Sequence, residues 1–216
     1  RQNQTLEAMA QTLFRQWFIE EVREDWEEIP LSSIANFLNG LACQKKTKKN
    51  DIDRLPVLKI KDLSSGISEN SDWASSDVKP EYIVNAGDVI FAWSASLMVK
   101  VWHGEKCILN QHLFKVTSDK YPKWFFYQWC KHHLAEFISI SSSHATTMGH
   151  IKRGDLDEAM VVVPTLAELE RMDTQMIPLF DKQVNNHRQI QTLTQLRDTL
   201  LPKLMSGEIR VEVEYE

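Results

Sequence analysis

The chain has 216 residues, 43% of them apolar and 25% charged, and a net charge of -5. That balance excludes a disordered polymer, and the longest uncharged apolar stretch, Val89–Val99, is far too short to cross a bilayer as a helix. The acidity weighs against indiscriminate nucleic-acid binding without excluding a local basic patch. The three cysteines, Cys43, Cys107 and Cys130, are widely spaced and indicate a reducing compartment without a disulfide framework. The chain starts at Arg1 with nothing resembling a signal peptide, which reads as an excerpt of a cytoplasmic protein.

Residues 1–25 read as a helix. Leu6, Met9, Ala10, Leu13, Phe14, Trp17 and Phe18 fall at the spacing of one helical face, and no Gly or Pro intervenes before Pro30. Residues 26–163 read as a mixed α and β globule. Leu55–Ile60, Tyr82–Val84, Asp88–Ala92, Met98–Trp102, Leu113–Val116 and Val161–Val163 are short runs rich in β-branched and aromatic residues, separated by turn glycines. Trp124–Ile138 reads as one helix. Short twisted strands with long loops give an α+β class rather than a doubly wound sheet. Residues 164–216 open with Pro164 and a capping box at Thr165–Glu168, then carry apolar residues at helical spacing through Leu193, Leu196, Leu200, Leu201 and Leu204. Such a helix would be roughly 50 Å long, with Pro178 expected to kink or split it and Gly207 to stop it. Placing Leu6 on Leu193 aligns Met9 with Leu196, Leu13 with Leu200, Phe14 with Leu201 and Trp17 with Leu204. Any two amphipathic helices can align so; the alternative is one structural unit recurring on both sides of the globule.

Known catalytic patterns are missing. There is no G-x-G-x-x-G, no P-loop, no C-x-x-C and no H-E-x-x-H. His132 and His133 are neighbours on an expected helix, which would turn their rings apart. Ser141–His144 lacks the G-x-S-x-G context of a nucleophile elbow. What remains is a set of polar and basic clusters beside turns. Lys45, Lys46, Lys48 and Lys49 suit either a solvated loop or phosphate contacts. Ser94 and Ser96 suit strand-end caps or donors to DNA, and Asn110, Gln111 and His112 suit a buried network or base contacts. His144, Thr146, Thr147, Lys152 and Arg153 form the last cluster.

Taken together, Leu6–Phe18, Ala86–Ser96, Asn110–His112, Met148–Asp155, Val163–Pro164 and Leu196–Ile209 resemble the specificity subunit of type I restriction-modification systems. Leu200-Leu-Pro-Lys-Leu204 followed by Ser-Gly-Glu208 is the most specific stretch. The resemblance implies a target recognition domain over 26–163, flanked by a helical segment of the central conserved region at 1–25 and the distal conserved region at 164–216, the helices packing as a coiled coil. It implies a non-catalytic chain that reads one half of a split DNA target in the major groove and docks methylation subunits through its helices. A restriction subunit joins the full complex. S-adenosylmethionine and ATP belong to those partners, and no cofactor or metal is expected here. Only one recognition domain is present, so the chain reads as the C-terminal half of a longer subunit or as a half-subunit, with a possible homodimer through the long helix. On this reading Lys45, Lys46, Lys48, Lys49, Lys152 and Arg153 touch phosphates. Ser94, Ser96, Asn110, Gln111, His112, His144, Thr146 and Thr147 reach bases. Leu6, Met9, Leu13, Phe14, Trp17 and the five leucines from Leu193 to Leu204 form the helical interface. A helical adaptor that ignores DNA, or a hydrolase built on the Ser141–His150 loop, are the competing readings.

Overall fold

A computed structural model of the chain describes residues 1–43, 53–143 and 149–209. The chain opens with α1 (Gln2–Arg15) and a π-helical turn, Gln16–Glu20, and then enters the globule through β1 (Glu27–Pro30), α2 (Leu31–Ile34) and β2 (Asn36–Asn39). β3 (Arg54–Leu58), α3 (Ile60–Ser65), β4 (Trp73–Ser75) and β5 (Ile83–Val84) follow. Next come β6 (Val89–Ala92), β7 (Met98–Val101), β8 (Cys107–Leu109) and β9 (Leu113–Thr117). The remainder is α4 (Lys123–His132), α5 (Leu134–Ser143), α6 (Arg153–Glu158), β10 (Met160–Val163) and α7 (Leu166–Met205).

Two four-stranded sheets, ordered β2-β9-β6-β7 and β4-β3-β8-β5, form the β portion. The first is wholly antiparallel; in the second, β3 runs parallel to β8. β1 pairs antiparallel with β10, Glu27 opposite Val163, so the two ends of the globule are tied together. β6 and β8 are buried along their whole length. Buried on both faces, they are continuous apolar runs, Val-Ile-Phe-Ala and Cys-Ile-Leu, rather than alternating ones.

The largest core joins the globule to the helices. Phe91, Phe114 and Phe137 belong to the same buried cluster as Ala10, Phe14 and Phe18 from the N-terminal helix and Leu169, Met172 and Met176 from α7. Phe18 is the hub: its ring lies 5.5–6.4 Å from those of Trp26, Trp124, Phe125 and Trp129. α1 runs antiparallel to the first half of α7. Asn3 Nδ2 sits 2.7 Å from His187 Nδ1 at one end, and Arg23 Nη1 donates to Glu168 Oε1 at 2.8 Å at the other.

The structure corrects several expectations. The single helix over 124–138 is two, because α4 ends at His132 and His133 caps it. The rings of His132 and His133 do not point apart; their centroids are 5.1 Å from each other, nearly perpendicular. α7 is continuous through Pro178, with buried Met176 before the proline and part-buried Phe180 and Val184 after it fastened to the core. That packing holds the helix across the hydrogen bond proline cannot make. Gly207, at φ 76°, ends it as expected. Among the described residues, no helix is long and apolar enough to cross a membrane.

Candidate nucleic-acid interface

Four segments far apart in sequence meet at one edge of the globule. They are the end of β2, the end of β6, the β8–β9 turn and the strand-like residues 149–151. Backbone hydrogen bonds weld them. Leu41 N donates to Leu109 O and Gln111 N to Leu41 O, both at 2.9 Å; Ala95 N donates to Gly149 O at 2.8 Å and Ile151 N to Trp93 O at 3.0 Å. The contact is close enough to require glycine at two positions. A Cβ on Gly40 would lie 2.3 Å from Asn110 O, and one on Gly149 would lie 2.5 Å from Ser141 Oγ. Ala95, between the two serines of the tip, holds φ at 56°, the left-handed region that a side chain disfavours by roughly 1–2 kcal/mol.

His112 is the centre of this edge. Its Nδ1 lies 3.1 Å from Ser94 Oγ, its backbone N–H donates to Asn110 Oδ1 at 3.3 Å, and its Nε2 lies 3.3 Å from Gln111 Nε2. Half-buried Trp93 stacks on Phe114 with centroids 5.6 Å apart and donates Nε1–H to Asn39 Oδ1 at 3.1 Å. Ser94 and Asn110 are buried, at 3% and 6% exposure, and both side chains serve to hold His112. Gln111 and Ser96 face solvent. Lys152 and Arg153 open α6 directly after the 149–151 segment, both exposed. The Lys152 N–H donates to Asp155 Oδ2 at 2.6 Å, and Arg153 Nη2 donates to Phe37 O at 3.1 Å.

Lys45, Lys46, Lys48 and Lys49, and His144, Thr146 and Thr147, lie outside the described residues. The residues that flank them do not. Cys43 shares a cleft with Lys59, Lys61 and the Asn110–His112 turn, and Gly149 pairs with Ala95. The chain therefore enters the first segment, and leaves the second, at this same edge. Burial pushes the Cys43 thiol up, with Lys59 opposing, so the thiol stays protonated at neutral pH.

Sequence reasoning missed Asn39 altogether and left Trp93, His150, Lys59 and Lys61, which lie in its polar and basic stretches, out of the expected contact residues. His150 bridges to Ser94 and sets its ring 6.3 Å from that of Trp93. A signal for the basic pair was present. Lys59–Asp62 and Lys152–Asp155 repeat the spacing Lys-x-x-Asp, and in both the Asp accepts the backbone N–H of the Lys at a helix start.

The residues of the Ser141–Ser143 run are helical. Ser142 and Ser143 give their hydroxyls to Ile138 O and Ile140 O, at 2.8 and 2.7 Å, and Ser141 is buried against Gly149. Among the described residues, no three His, Cys, Asp or Glu side chains gather into a metal-binding group.

The two sets of expected interface residues have different fates. Phe14 is buried, Leu6, Leu13 and Trp17 are half-buried, and Met9 is exposed. Apart from Met9, this set is covered within the chain by α7 and the globule. Leu193, Leu196, Leu201 and Leu204 are exposed and Leu200 is half-buried. Among the described residues, nothing covers that stripe.

A family profile described as the type I restriction modification DNA specificity domain matches residues 23–196. The chain is 27% identical to the type I restriction enzyme MjaIX specificity subunit of Methanocaldococcus jannaschii, over 98% of this chain and 55% of that protein. It is 27% identical to the EcoBI specificity subunit of Escherichia coli, over 88% of this chain and 41% of that one. It therefore spans about half the length of the curated relatives it matches. Its fold is similar to that of the HsdS subunit from Thermoanaerobacter tengcongensis, at a TM-score of 0.52 and 17% identity, covering 96% of this chain and 52% of that one. The type I S subunit from M. genitalium is equally similar, at 0.52 and 17%, covering 94% and 52%. With most of its length inside the profile, this chain belongs to the family of type I restriction-modification DNA specificity domains.

Proposed function

We propose that the chain is a non-catalytic, sequence-reading module of a type I restriction-modification specificity subunit, and that it reads one half of a bipartite target through the major groove. The observation that carries this is the convergence of residues 39–43, 93–96, 110–112 and 149–153 on one edge. Exposed Gln111, Ser96, Lys152 and Arg153 and half-buried His112 stand there around a glycine-tight backbone. Such side chains are donors and acceptors for phosphates and base edges. Ser94 holds the His112 ring and Asn110 its backbone N–H, which favours recognition because a pre-ordered side chain loses less entropy on binding. On this reading residues 26–163 are the recognition domain, and 1–25 with 164–216 are the helical arm.

The arm is where methylation subunits dock, and a restriction subunit completes the assembly; S-adenosylmethionine and ATP are bound by those partners. The setting is the cytoplasm. The bare leucine stripe on the distal part of α7 fits a second copy of the chain, since monomers rarely leave a long apolar stripe exposed and twofold dimers are the commonest oligomer.

The test is DNA affinity against salt for the chain with its methylation subunit, wild type and with Lys45, Lys46, Lys48 and Lys49 changed to Gln. Each lost phosphate contact reduces the slope of log K on log salt by about 0.9. Weaker binding with a shallower slope supports the proposal. An unchanged slope moves the phosphate contacts elsewhere, and no DNA binding by either protein favours the adaptor reading.

A further inference from the structure

The cleft between the start of α3 and the β8–β9 turn has a volume of about 530 Å³, and among the described residues no carboxylate lines it. Its polar wall is Lys59, Lys61 and the Asn110–His112 turn. Lys61 is exposed and donates to Asn70 O at 2.8 Å, which leaves further N–H groups on the ammonium. Gln111 is exposed beside it. Lys59 is more enclosed, and its ammonium is held by Asp72. A donor-lined cleft is selective in a chain of net charge -5, because acidic surroundings repel an anion everywhere but where cations concentrate.

The chemistry of these donors distinguishes two kinds of contact. Bidentate base reading uses Arg on guanine or a planar amide on adenine, in a fixed plane. Lysine is a compact point charge on a flexible stem and suits a phosphate. We propose that this cleft is a phosphate clamp that grips a DNA phosphodiester, with Lys61 as its anchoring cation and Gln111 as a neutral donor. Asp72 partly cancels Lys59 and so limits the grip. The clamp lies beside His112, so it fixes the register of the backbone against the reading edge without itself reading sequence. The inference rests on the DNA-binding reading.

The experiment uses the complex with the methylation subunit and measures both the selected DNA sequence and the salt slope for wild type, Lys61→Gln and Asp72→Asn. Lys61→Gln should weaken binding about fivefold at 0.15 M salt and reduce the slope by about 0.9, with the selected sequence unchanged. Asp72→Asn should tighten binding and steepen the slope, because it frees the Lys59 charge. Thermal unfolding of Lys61→Gln should match wild type, since the side chain is exposed. A Lys61→Gln slope equal to wild type overturns the clamp. So does a changed target sequence, or weaker or unaltered binding by Asp72→Asn. A wild-type complex that selects no sequence overturns the underlying reading instead.

Discussion

The two parts of α7 differ in their surroundings more than in their pattern. From Leu166 to His187 the helix lies against α1 and the globule. Leu169, Met172 and Met176 are buried there, and Asn186 Nδ2 donates to Asn3 Oδ1 at 2.8 Å. From Ile190 onward the apolar residues recur at similar spacing, but Ile190, Leu193 and Leu196 are 57%, 63% and 51% exposed. The comparison teaches that amphipathic spacing reports that a face will be covered, not what covers it. In the first part the cover is the chain itself; in the second, on our reading, it is another polypeptide.

Four experiments break or sharpen that contrast. The largest effect is expected from Phe18→Ala, which empties the hub of the aromatic core shared by helix and globule. It should cost about 3–5 kcal/mol in urea unfolding of the monomeric chain, whereas Leu196→Ala should stay within about 0.5 kcal/mol there. Equal losses would mean the distal stripe is packed in the isolated chain. Gly149→Ala comes next. Its Cβ meets Ser141 Oγ at 2.5 Å and Ser141 O at 2.8 Å, so α5 and the reading edge must part. A loss of about 1–3 kcal/mol is expected, with DNA affinity falling further than stability alone explains.

The third concerns the boundary between the two parts. His103, in the loop after β7, stacks on His187 of α7 at 3.7 Å with the rings 8° from parallel. Burial, then the charges of His187 and Arg188, push His103 down to about 4. A base whose folded pKa is depressed binds protons more readily when unfolded. Its contribution is therefore complete above pH 6.5 and is lost as pH falls from 6.5 towards about 4. Unfolding midpoints across that window should drop less steeply for His103→Gln than for wild type; parallel curves would show that the ring does not couple to folding. The smallest effect on chain stability belongs to Leu193→Lys with Leu196→Lys, which should leave the unfolding curve nearly unchanged at a protein concentration low enough for the wild type to be monomeric, and remove the concentration dependence of the midpoint that a dimer imposes. Sedimentation should show the dimer abolished. A wild-type chain that is monomeric at tens of micromolar would remove the homodimer from the account.

How much of this could be read from the sequence depended on whether the information was local. β3, β5, β6, β7, β9 and β10 announced themselves through β-branched and aromatic runs. β2 did not, because only Phe37 and Leu38 are apolar in Asn36–Asn39, and its pairing with β9 is set by residues 75–81 positions away. β1 carries Glu27 and Glu28 and is a strand because β10 lies beside it. The break between α4 and α5 was illegible because Trp124–Ile138 has neither Gly nor Pro to mark it. At the edge, Ser94, Asn110, Gln111 and His112 stood out as polar residues beside turns. Their division of labour did not, since burial of Ser94 and Asn110 follows from tertiary packing. Nor could Gly40 and Gly149 be told from ordinary turn glycines. Each is required by the approach of a segment distant in sequence.

The central claim is that this edge reads DNA sequence, and selection from a pool of random duplexes tests it most directly. The chain would be mixed with the pool, with and without the cognate methylation subunit, and the retained fraction sequenced. The account predicts enrichment of a short motif, about three to five base pairs, since each discriminated pair contributes about 1–3 kcal/mol. Two symmetric copies at a fixed gap would mark the homodimer. Retention of DNA with no enriched sequence, in the presence of an active methylation subunit, would contradict it.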